Sequence, residues 1–256
     1  MISPHPAPSR PAPSRAPRAP RGANLKAAAT LGLILGLVVL GGCAYRGGID
    51  QPITLKATWF SYLNGDDVRA ACVPGAEPWY RLVYNGAYDE QLRAYEVVGD
   101  GAGGAHLVVR VQQGRGLDLT QLSLGDPQAM ARWTTARDRL DAAGLGAVEA
   151  ALKASGAFEA APAGLRLASE QFYWIVALCR GGRFHFNAWL YPSEGYARLR
   201  FPGALLRHDG TGIAVNPPRK VVGIIRQRRE AKWNGSPTNF DLTIGENGLA
   251  GQVTLF

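Results

Sequence analysis

The residue types that carry out catalysis are present in this chain, but their spacing does not match a known catalytic arrangement. The sequence contains no Gly-x-Ser-x-Gly turn for a serine nucleophile and no His-Glu-x-x-His spacing for zinc. Asp66-Asp67 and Asp89-Glu90 are adjacent carboxylate pairs whose side chains would diverge on a strand. His106, His185 and His208 are isolated along the chain. We therefore assign no catalytic residue, no metal ligand and no cofactor, and we expect a binding protein rather than an enzyme.

Three glycines, Gly99, Gly101 and Gly104, have the Gly-x-Gly-x-x-Gly spacing of a dinucleotide-binding loop. That chemistry requires a helix directly after the loop, because the amides at a helix N-terminus hold the pyrophosphate. Residues 107–111 instead have the composition of a strand. The glycines therefore predict a hairpin loop and not a nucleotide site.

Aromatic side chains are concentrated between residues 172 and 196. If residues 183–191 form a strand, alternate side chains lie on opposite faces. One face mixes polar and aromatic groups, as a site for a glycan or a lipid headgroup would. A hairpin with one core face and one solvated face explains the same pattern more simply. The possible ligand face consists of His185, Asn187, Trp189 and Tyr191.

Basic side chains are concentrated between residues 219 and 232, where Glu230 is the one acidic residue. Such a run could contact an anionic membrane surface, with about 1 kcal/mol of attraction per basic residue. The alternative is a solvated strand end, because charged runs usually lie at the surface. The residues concerned are Arg219, Lys220, Arg226, Arg228, Arg229 and Lys232.

The first part of the chain does not have the composition of a folded domain. Residues 1–22 contain seven of the 17 prolines and no acidic residue. Lys26 then precedes an apolar run over residues 27–40, which ends in Leu40-Gly41-Gly42-Cys43. A basic region, an apolar region and small residues at the exit are typical of a secretory signal.

Leu40-Gly41-Gly42-Cys43 resembles the lipobox of bacterial lipoproteins. The resemblance implies that the chain is cut before Cys43, that this cysteine carries a diacyl group and that its new amine is acylated. Two or more acyl chains give a stable membrane anchor, whereas one gives a marginal anchor. Ala44, in place of an aspartate, slightly favours the outer membrane by the same resemblance. The alternative is an uncleaved signal-anchor helix, which also exposes the folded part outside the cytoplasm.

The formal net charge of +8 is dominated by this leader, which contains five basic residues and no acidic ones. The rest of the chain has 23 basic and 20 acidic residues, since five of the 28 basic residues precede Cys43. A net charge of +3 is too small to indicate nucleic-acid binding. Cys72 and Cys179 remain after Cys43 is lipidated, and an oxidising compartment favours a disulfide between them. Two buried free thiols are the alternative.

Strand patterns predominate in the first and last thirds of the exported part, and helical patterns in the middle. The middle contains Asp126-Pro127 as a helix start, an apolar stripe through Trp133 and Leu140, Gly144 as the helix end, and a second helix over residues 146–154. The predicted strands are residues 54–62, 79–84, 92–98, 106–112, 170–179, 183–191, 196–201, 204–208, 213–215, 240–244 and 251–256, with a helical turn at residues 68–72.

These patterns predict an α+β fold with antiparallel sheet at both ends and two central helices packed on it. We expect a leader and signal peptide over residues 1–42, a lipidated cysteine and tether over 43–52, and a single envelope domain over 53–256. The protein would be anchored to the cell envelope, face the periplasm and bind a glycan, an anionic lipid or another envelope protein. An envelope hydrolase with a site assembled from dispersed residues is the alternative.

Overall fold

The computed structural model describes residues 52–114, 133–223 and 239–255. The leader, Cys43 and the tether up to Gln51 lie outside this part of the chain, as do Asp126 and Pro127. Four of the six residues of the basic run also lie outside it: Arg226, Arg228, Arg229 and Lys232.

A six-stranded antiparallel sheet forms the centre of the domain. Its spatial order is β4-β3-β2-β1-β6-β7. The sequence predicts an antiparallel meander over residues 54–112, and the structure confirms it from residue 79 onwards but not over residues 54–62. The predicted hairpin over residues 170–191 is also confirmed. The strands are β1 (Trp79–Gly86), β2 (Gln91–Gly99), β3 (Ala105–Gln113), β4 (Thr134–Leu140), β6 (Phe172–Arg180) and β7 (Arg183–Leu190).

The turns of this sheet follow from local chemistry. Asp100 accepts hydrogen bonds from the N–H groups of Ala102 at 2.9 Å and Gly104 at 3.0 Å, which closes the glycine-rich turn before β3. The predicted hairpin loop is therefore confirmed. Between β6 and β7, Gly181 and Gly182 have φ angles of 58° and 71°, values that a two-residue hairpin turn requires and that favour glycine.

A three-stranded sheet of order β5-β8-β9 accompanies the central sheet. Its strands are β5 (Arg166–Ala168), β8 (Phe240–Gly245) and β9 (Gly248–Leu255). The last two form the predicted terminal hairpin. The described residues thus contain nine strands in two antiparallel sheets with few helices, which fits the α+β class and also a mostly-β class.

Both faces of the central sheet are covered. One face, which includes Leu82 and Val176, packs against helices α3 (Ala142–Ala154) and α5 (Phe201–Leu206). The other face, which includes Val83 and Ile175, packs against helix α1 (Pro52–Asn64) and β8. The two hydrophobic clusters are separated by the sheet, because successive side chains of a strand lie on opposite faces.

Helix α1 replaces the strand predicted over residues 54–62, so that prediction is wrong. Its buried side chains, Trp59, Tyr62 and Leu63, are spaced by three and four residues and therefore lie on one side of a helix. Aromatic and β-branched composition indicated a strand, but burial of this one side against the sheet determines the conformation. The short helix α2 (Asp66–Ala71) confirms the predicted helical turn.

Strand β4 occupies residues 134–140, which were predicted to belong to the first central helix. It pairs with the free edge of β3 in antiparallel register, and its charged side chains Arg137, Asp138 and Arg139 are exposed. The stripe through Trp133 and Leu140 is therefore not a helical face. Charged residues on an exposed edge strand are a common protection against edge-to-edge aggregation.

Helix α3 confirms the second predicted central helix and buries Leu145, Val148 and Leu152 as expected. Its N-cap is Asp141, whose carboxylate accepts the N–H of Gly144 at 2.7 Å. Gly144 therefore lies in the first turn of a helix and does not end one, in contrast to the prediction. Of the two predicted helices on the sheet, the structure contains the second.

The chain after β7 is helical where strands were predicted. Helix α4 (Glu194–Ala197) and helix α5 occupy residues 194–206, and residues 213–215 form no strand. Ser193 caps α4 by accepting the N–H of Tyr196 at 3.1 Å. Pro202 lies in the first turn of α5, where the missing N–H of proline costs nothing. These local signals outweigh the aromatic and apolar composition that suggested strands.

Candidate binding cleft

A cleft of about 490 Å³ lies along the free edge of β7. Its floor includes Asn187 and Trp189, which lie on one face of the strand, and Ala188 and Leu190, which lie on the other. Because both faces of β7 contribute, the cleft lies beyond the edge of the sheet and not above one face.

One wall is the segment 154–165, which connects α3 on one face of the sheet to β5 on the other and therefore crosses the edge. Asn187 holds this crossing: its Nδ2 donates to the carbonyl of Gly156 at 3.0 Å and to that of Glu159 at 3.4 Å. Its Oδ1 accepts the N–H of Ala188 at 2.8 Å. These bonds satisfy a buried polar side chain and fix the position of the wall.

The opposite wall is the segment 192–198. Gly195 approaches the ring of Trp189 closely, since a Cβ at this position would lie 3.2 Å from Cδ1 of the tryptophan. Ser193 and Arg198 supply polar groups to this wall. A larger residue at 195 would push the wall away from the tryptophan.

Some backbone N–H and C=O groups of β7 face the cleft and do not bond to β6. The N–H of Tyr191 donates to the carbonyl of Phe172 at 2.8 Å, so odd-numbered residues of β7 bond to β6 and even-numbered residues face away from it. The N–H of Ala188 is satisfied by Asn187. Within the described residues, the N–H and C=O of Leu190 have no hydrogen-bond partner.

The structure brings Asn187 and Trp189 of the predicted ligand face into this cleft. Trp189 is 9% exposed and its ring packs 5.5 Å from that of Phe201, so little of its surface is open to a sugar ring. His185 and Tyr191 do not line the cleft.

The other two residues of the predicted face pack against separate neighbours. His185 meets the ring of Phe158 edge-on at 5.2 Å. Burial, and then the charge of Arg183, lower the pKa of His185 below its usual value. Tyr191 meets Tyr196 edge-on at 5.3 Å. The four residues therefore lie along one face of β7, but they pack against different neighbours.

The cleft residues Ser155, Glu159, Ser193 and Arg198 were not identified from the sequence. They come from the end of α3, the crossing segment and the α4 region, and no local spacing relates them. The alternation pattern of β7 was the signal that identified Asn187 and Trp189.

The two described residues of the basic run have different surroundings. Arg219 donates to the carboxylate of Glu90 and lies over the ring of Phe172 at 4.9 Å from its centroid. Lys220 is exposed. The carboxylate therefore offsets the charge of Arg219 locally.

A disulfide joins Cys72 and Cys179, whose Cα atoms are 5.5 Å apart. It confirms the predicted pairing and connects the end of α2 to the end of β6. A bridge that closes a loop of this length stabilises a fold mainly by restricting the unfolded chain.

A buried ion cluster on the α1 side of the sheet was also missed. Arg81 makes two hydrogen bonds of 2.6 Å to Asp67 and one of 2.6 Å to Glu96, and it stacks 3.9 Å over the ring of Tyr62. Burial by itself lowers the pKa of Arg81, but the charge of Glu96 and the contacts with Tyr62 and Asp67 outweigh it and raise that pKa. Asp67, a member of one of the adjacent carboxylate pairs noted in the sequence, thus anchors α2 to β1.

The described residues include no helix long and apolar enough to cross a membrane. They also contain no group of three or more histidine, cysteine, aspartate or glutamate side chains close enough to hold a metal ion. Comparison with family models, with curated proteins and with solved structures finds no match to this chain.

Proposed function

We propose that this protein is a lipid-anchored lipoprotein of the bacterial cell envelope, with a non-enzymatic binding role on the periplasmic side. The lipobox-like Leu40-Gly41-Gly42-Cys43 supports the anchor. The disulfide between Cys72 and Cys179 supports the compartment, because disulfides form and persist in oxidising surroundings. Of the two envelope membranes, Ala44 slightly favours the outer one.

The cleft along β7 is the proposed binding site, and the partner is an extended segment of another envelope protein. The observation that carries this proposal is the open N–H and C=O of Leu190 at the floor of the cleft. An extended peptide can pair with such groups at a sheet edge. The crossing segment held by Asn187 covers the edge beside this position, so the pairing would be short and would depend on side-chain contacts with both walls.

Site-specific photocrosslinking of the full-length protein in its producing cells tests both parts of the proposal. Benzoylphenylalanine replaces Ala160, an exposed residue of the cleft wall, and separately replaces Ala147, an exposed alanine on α3. We expect a crosslink to one envelope protein from position 160 and none from position 147, with the crosslinked peptide mapping to one continuous segment. Equal crosslinking from both positions would contradict the cleft.

Two further substitutions are made in the variant that carries benzoylphenylalanine at position 160. Leu190→Pro removes the outward N–H without removing a bond to β6, so it should abolish the crosslink while the protein stays folded. Cys43→Ser should prevent incorporation of labelled palmitate and release the protein from the membrane fraction. Retention of palmitate label in Cys43→Ser would refute the anchor, and an undiminished crosslink in Leu190→Pro would refute pairing at the edge.

A further inference from the structure

Helix α5 lies at the surface of the domain with one side buried. The buried side chains are Phe201, Ala204 and Leu205. On the outside, Pro202 and Leu206 are four residues apart and therefore lie together on one flank of the helix. Leu206 is 38% exposed and is one of three large apolar side chains that are exposed among the described residues. The helix thus presents an apolar flank to solvent.

The apolar flank continues onto the neighbouring segments. Leu199, Val215 and Pro218 are half-buried and line a groove together with Pro202 and Leu206. The aromatic rings beneath this groove are buried, so the part that a partner can touch is the apolar rim. Exposed apolar patches rimmed by polar residues are typical of contact sites for proteins or membranes.

The other outer flank of α5 is basic. Arg200 and Arg207 stand at the two ends of the helix and both have right-handed helical backbone angles. They are seven residues apart, which places them on the same flank. Both are exposed, and neither has an ion-pair partner among the described residues. Lys220, two residues after Pro218, is likewise exposed and unpaired in this part of the chain.

Carboxylates do not offset these three charges. The acidic side chains that contact residues 194–220 within the described chain are each held by another basic side chain. The pairs are Glu90 with Arg219, Asp138 with His208, Asp209 with Arg93, and Glu194 with Arg198. Arg200, Arg207 and Lys220 therefore leave a net positive charge beside the apolar rim, and this surface attracts anions.

The start of α1 indicates which end of the domain is close to the proposed anchor. The carbonyl of Tyr62, near the end of α1, accepts from Arg81 at 3.1 Å. The ring of Trp59, one turn earlier, lies 6.1 Å from that of Tyr88, which follows β1. Helix α1 therefore runs antiparallel to β1, and Pro52 at its start lies towards the end of that strand.

The segment that contains Lys220 lies at the same end. Nδ2 of Asn216 donates to the carbonyl of Gly86, the last residue of β1, at 2.8 Å. Pro52 is nine residues after Cys43, and such a stretch spans at most about 30 Å when extended. A lipid on Cys43 would thus hold this end of the domain close to the bilayer.

We propose that the surface formed by Arg200, Pro202, Leu206, Arg207 and Lys220 docks the domain on an anionic phospholipid membrane. This inference rests on the lipid anchor of the proposed function. The apolar flank enters the headgroup region, and the basic side chains contact the phosphates, as in amphipathic helices that lie in a membrane interface. The anchor keeps the surface at a high local concentration near the membrane, so a small contact area is sufficient.

Fluorine NMR of the full-length protein in lipid nanodiscs tests the docking. Trifluoromethylphenylalanine replaces Leu206, and separately replaces Val73, an exposed residue beside the disulfide at the opposite end of β1. A lipid with a gadolinium chelate on its headgroup broadens signals that lie close to the bilayer surface. With phosphatidylglycerol present we expect strong broadening at position 206 and little at position 73. In phosphatidylcholine alone the difference should be much smaller.

A double variant tests the basic flank. Each basic residue near an anionic membrane contributes a factor of about five, so Arg200→Gln with Arg207→Gln should lower the ratio of docked to undocked protein about 25-fold. Arg166→Gln with Arg183→Gln is the matched control, because it removes the same charge from exposed positions outside the surface. High salt should reduce the broadening at position 206 in the protein with both arginines, since salt screens the attraction.

The anchor and the docking have separate readouts. Co-elution of the protein with the nanodiscs reports the anchor, whereas broadening at position 206 reports the docking. In protein that co-elutes, equal broadening at positions 206 and 73, no dependence on phosphatidylglycerol, or equal broadening in the two double variants would each overturn the docking. Elution apart from the nanodiscs would instead refute the anchor on which the docking rests.

Discussion

Each face of the central sheet has one buried arginine that is paired with a carboxylate. Arg81 and Arg93 are both almost fully buried, and each extends from the sheet to a carboxylate on another segment. Arg81 faces α1 and α2, whereas Arg93 faces the loop before Asn216. A buried charge is tolerated only when it is paired and hydrogen-bonded, so each pair links the sheet to the layer that covers it.

Glu96→Gln tests the importance of the Arg81 cluster. The substitution removes one of the two negative partners of a buried guanidinium, while Asp67 stays paired with it, so we expect the free energy of unfolding to fall by about 1.5–3 kcal/mol. Urea denaturation measures the difference. Glu194→Gln is the matched control, because Glu194 pairs with Arg198 on the surface and its loss should change stability little. Similar losses in the two variants would argue against a special role for the buried cluster.

His185 provides a pH-dependent prediction. Its pKa in the folded protein is lowered below 6.5 by burial first and by Arg183 second, so the folded state prefers the neutral ring. The corresponding stability is present above pH 6.5 and decreases as the pH falls towards the folded pKa. An NMR titration of His185 should show a midpoint below 6.5 that rises in Phe158→Ala, where the ring gains contact with water. A midpoint that stays the same in this variant would contradict burial as the main cause.

Among the helices and strands, helix N-caps and unpaired strand edges determined the conformation where the amino-acid composition fitted both a helix and a strand. Strand β4 forms because β3 has an edge to pair with, and that edge lies outside any local window of the sequence. Helix α3 begins at Asp141 because this carboxylate accepts the N–H of Gly144. The second central helix and its buried side were predictable from periodicity, whereas the first was not, since a stripe at helical spacing also fits a partly exposed edge strand.

Asp141→Ala should weaken the start of α3. Loss of an N-cap side chain costs about 0.5–2 kcal/mol of stability, because an N–H of the first turn loses its partner. Thermal or urea unfolding measures the loss. Asp141→Asn is the matched control and should retain nearly all of the stability, since asparagine caps as well as aspartate. A larger loss in the asparagine variant than in the alanine variant would rule out capping as the reason for this residue.

The whole domain is a central sheet covered on both faces and closed by contacts between distant parts of the chain. β1 pairs with β6, and the disulfide joins residues separated by 107 positions. The continuous apolar run of β6 is consistent with a strand buried on both faces, and every residue from Phe172 to Cys179 is buried. The pairing of β6 with β1 had no local signal.

Removal of the disulfide tests its contribution to the whole fold. The double variant Cys72→Ala and Cys179→Ala should lose about 2–5 kcal/mol in the free energy of unfolding. A reductant should lower the stability of the unmodified protein to a similar level and should leave the double variant unchanged. Intact mass with and without reductant detects the bridge directly. Insensitivity of the unmodified protein to reductant would show that the bridge is absent or contributes little.

The features that depend on neighbouring residues were predictable from the sequence: the meander from residue 79, the β6–β7 hairpin, the second central helix and the terminal hairpin. The sequence also indicated the pairing of Cys72 with Cys179, because only two cysteines follow the lipobox cysteine. The conformation of residues 54–62 and the pairing of β4 depended on tertiary contacts, since burial against the sheet outweighs local propensity. The helices after β7 instead have local signals at Ser193 and Pro202, although the composition of the segment favoured strands. The cleft depended on the tertiary structure most of all, because its walls, residues 154–165 and 192–198, come from segments that meet only where they pack along the edge of β7.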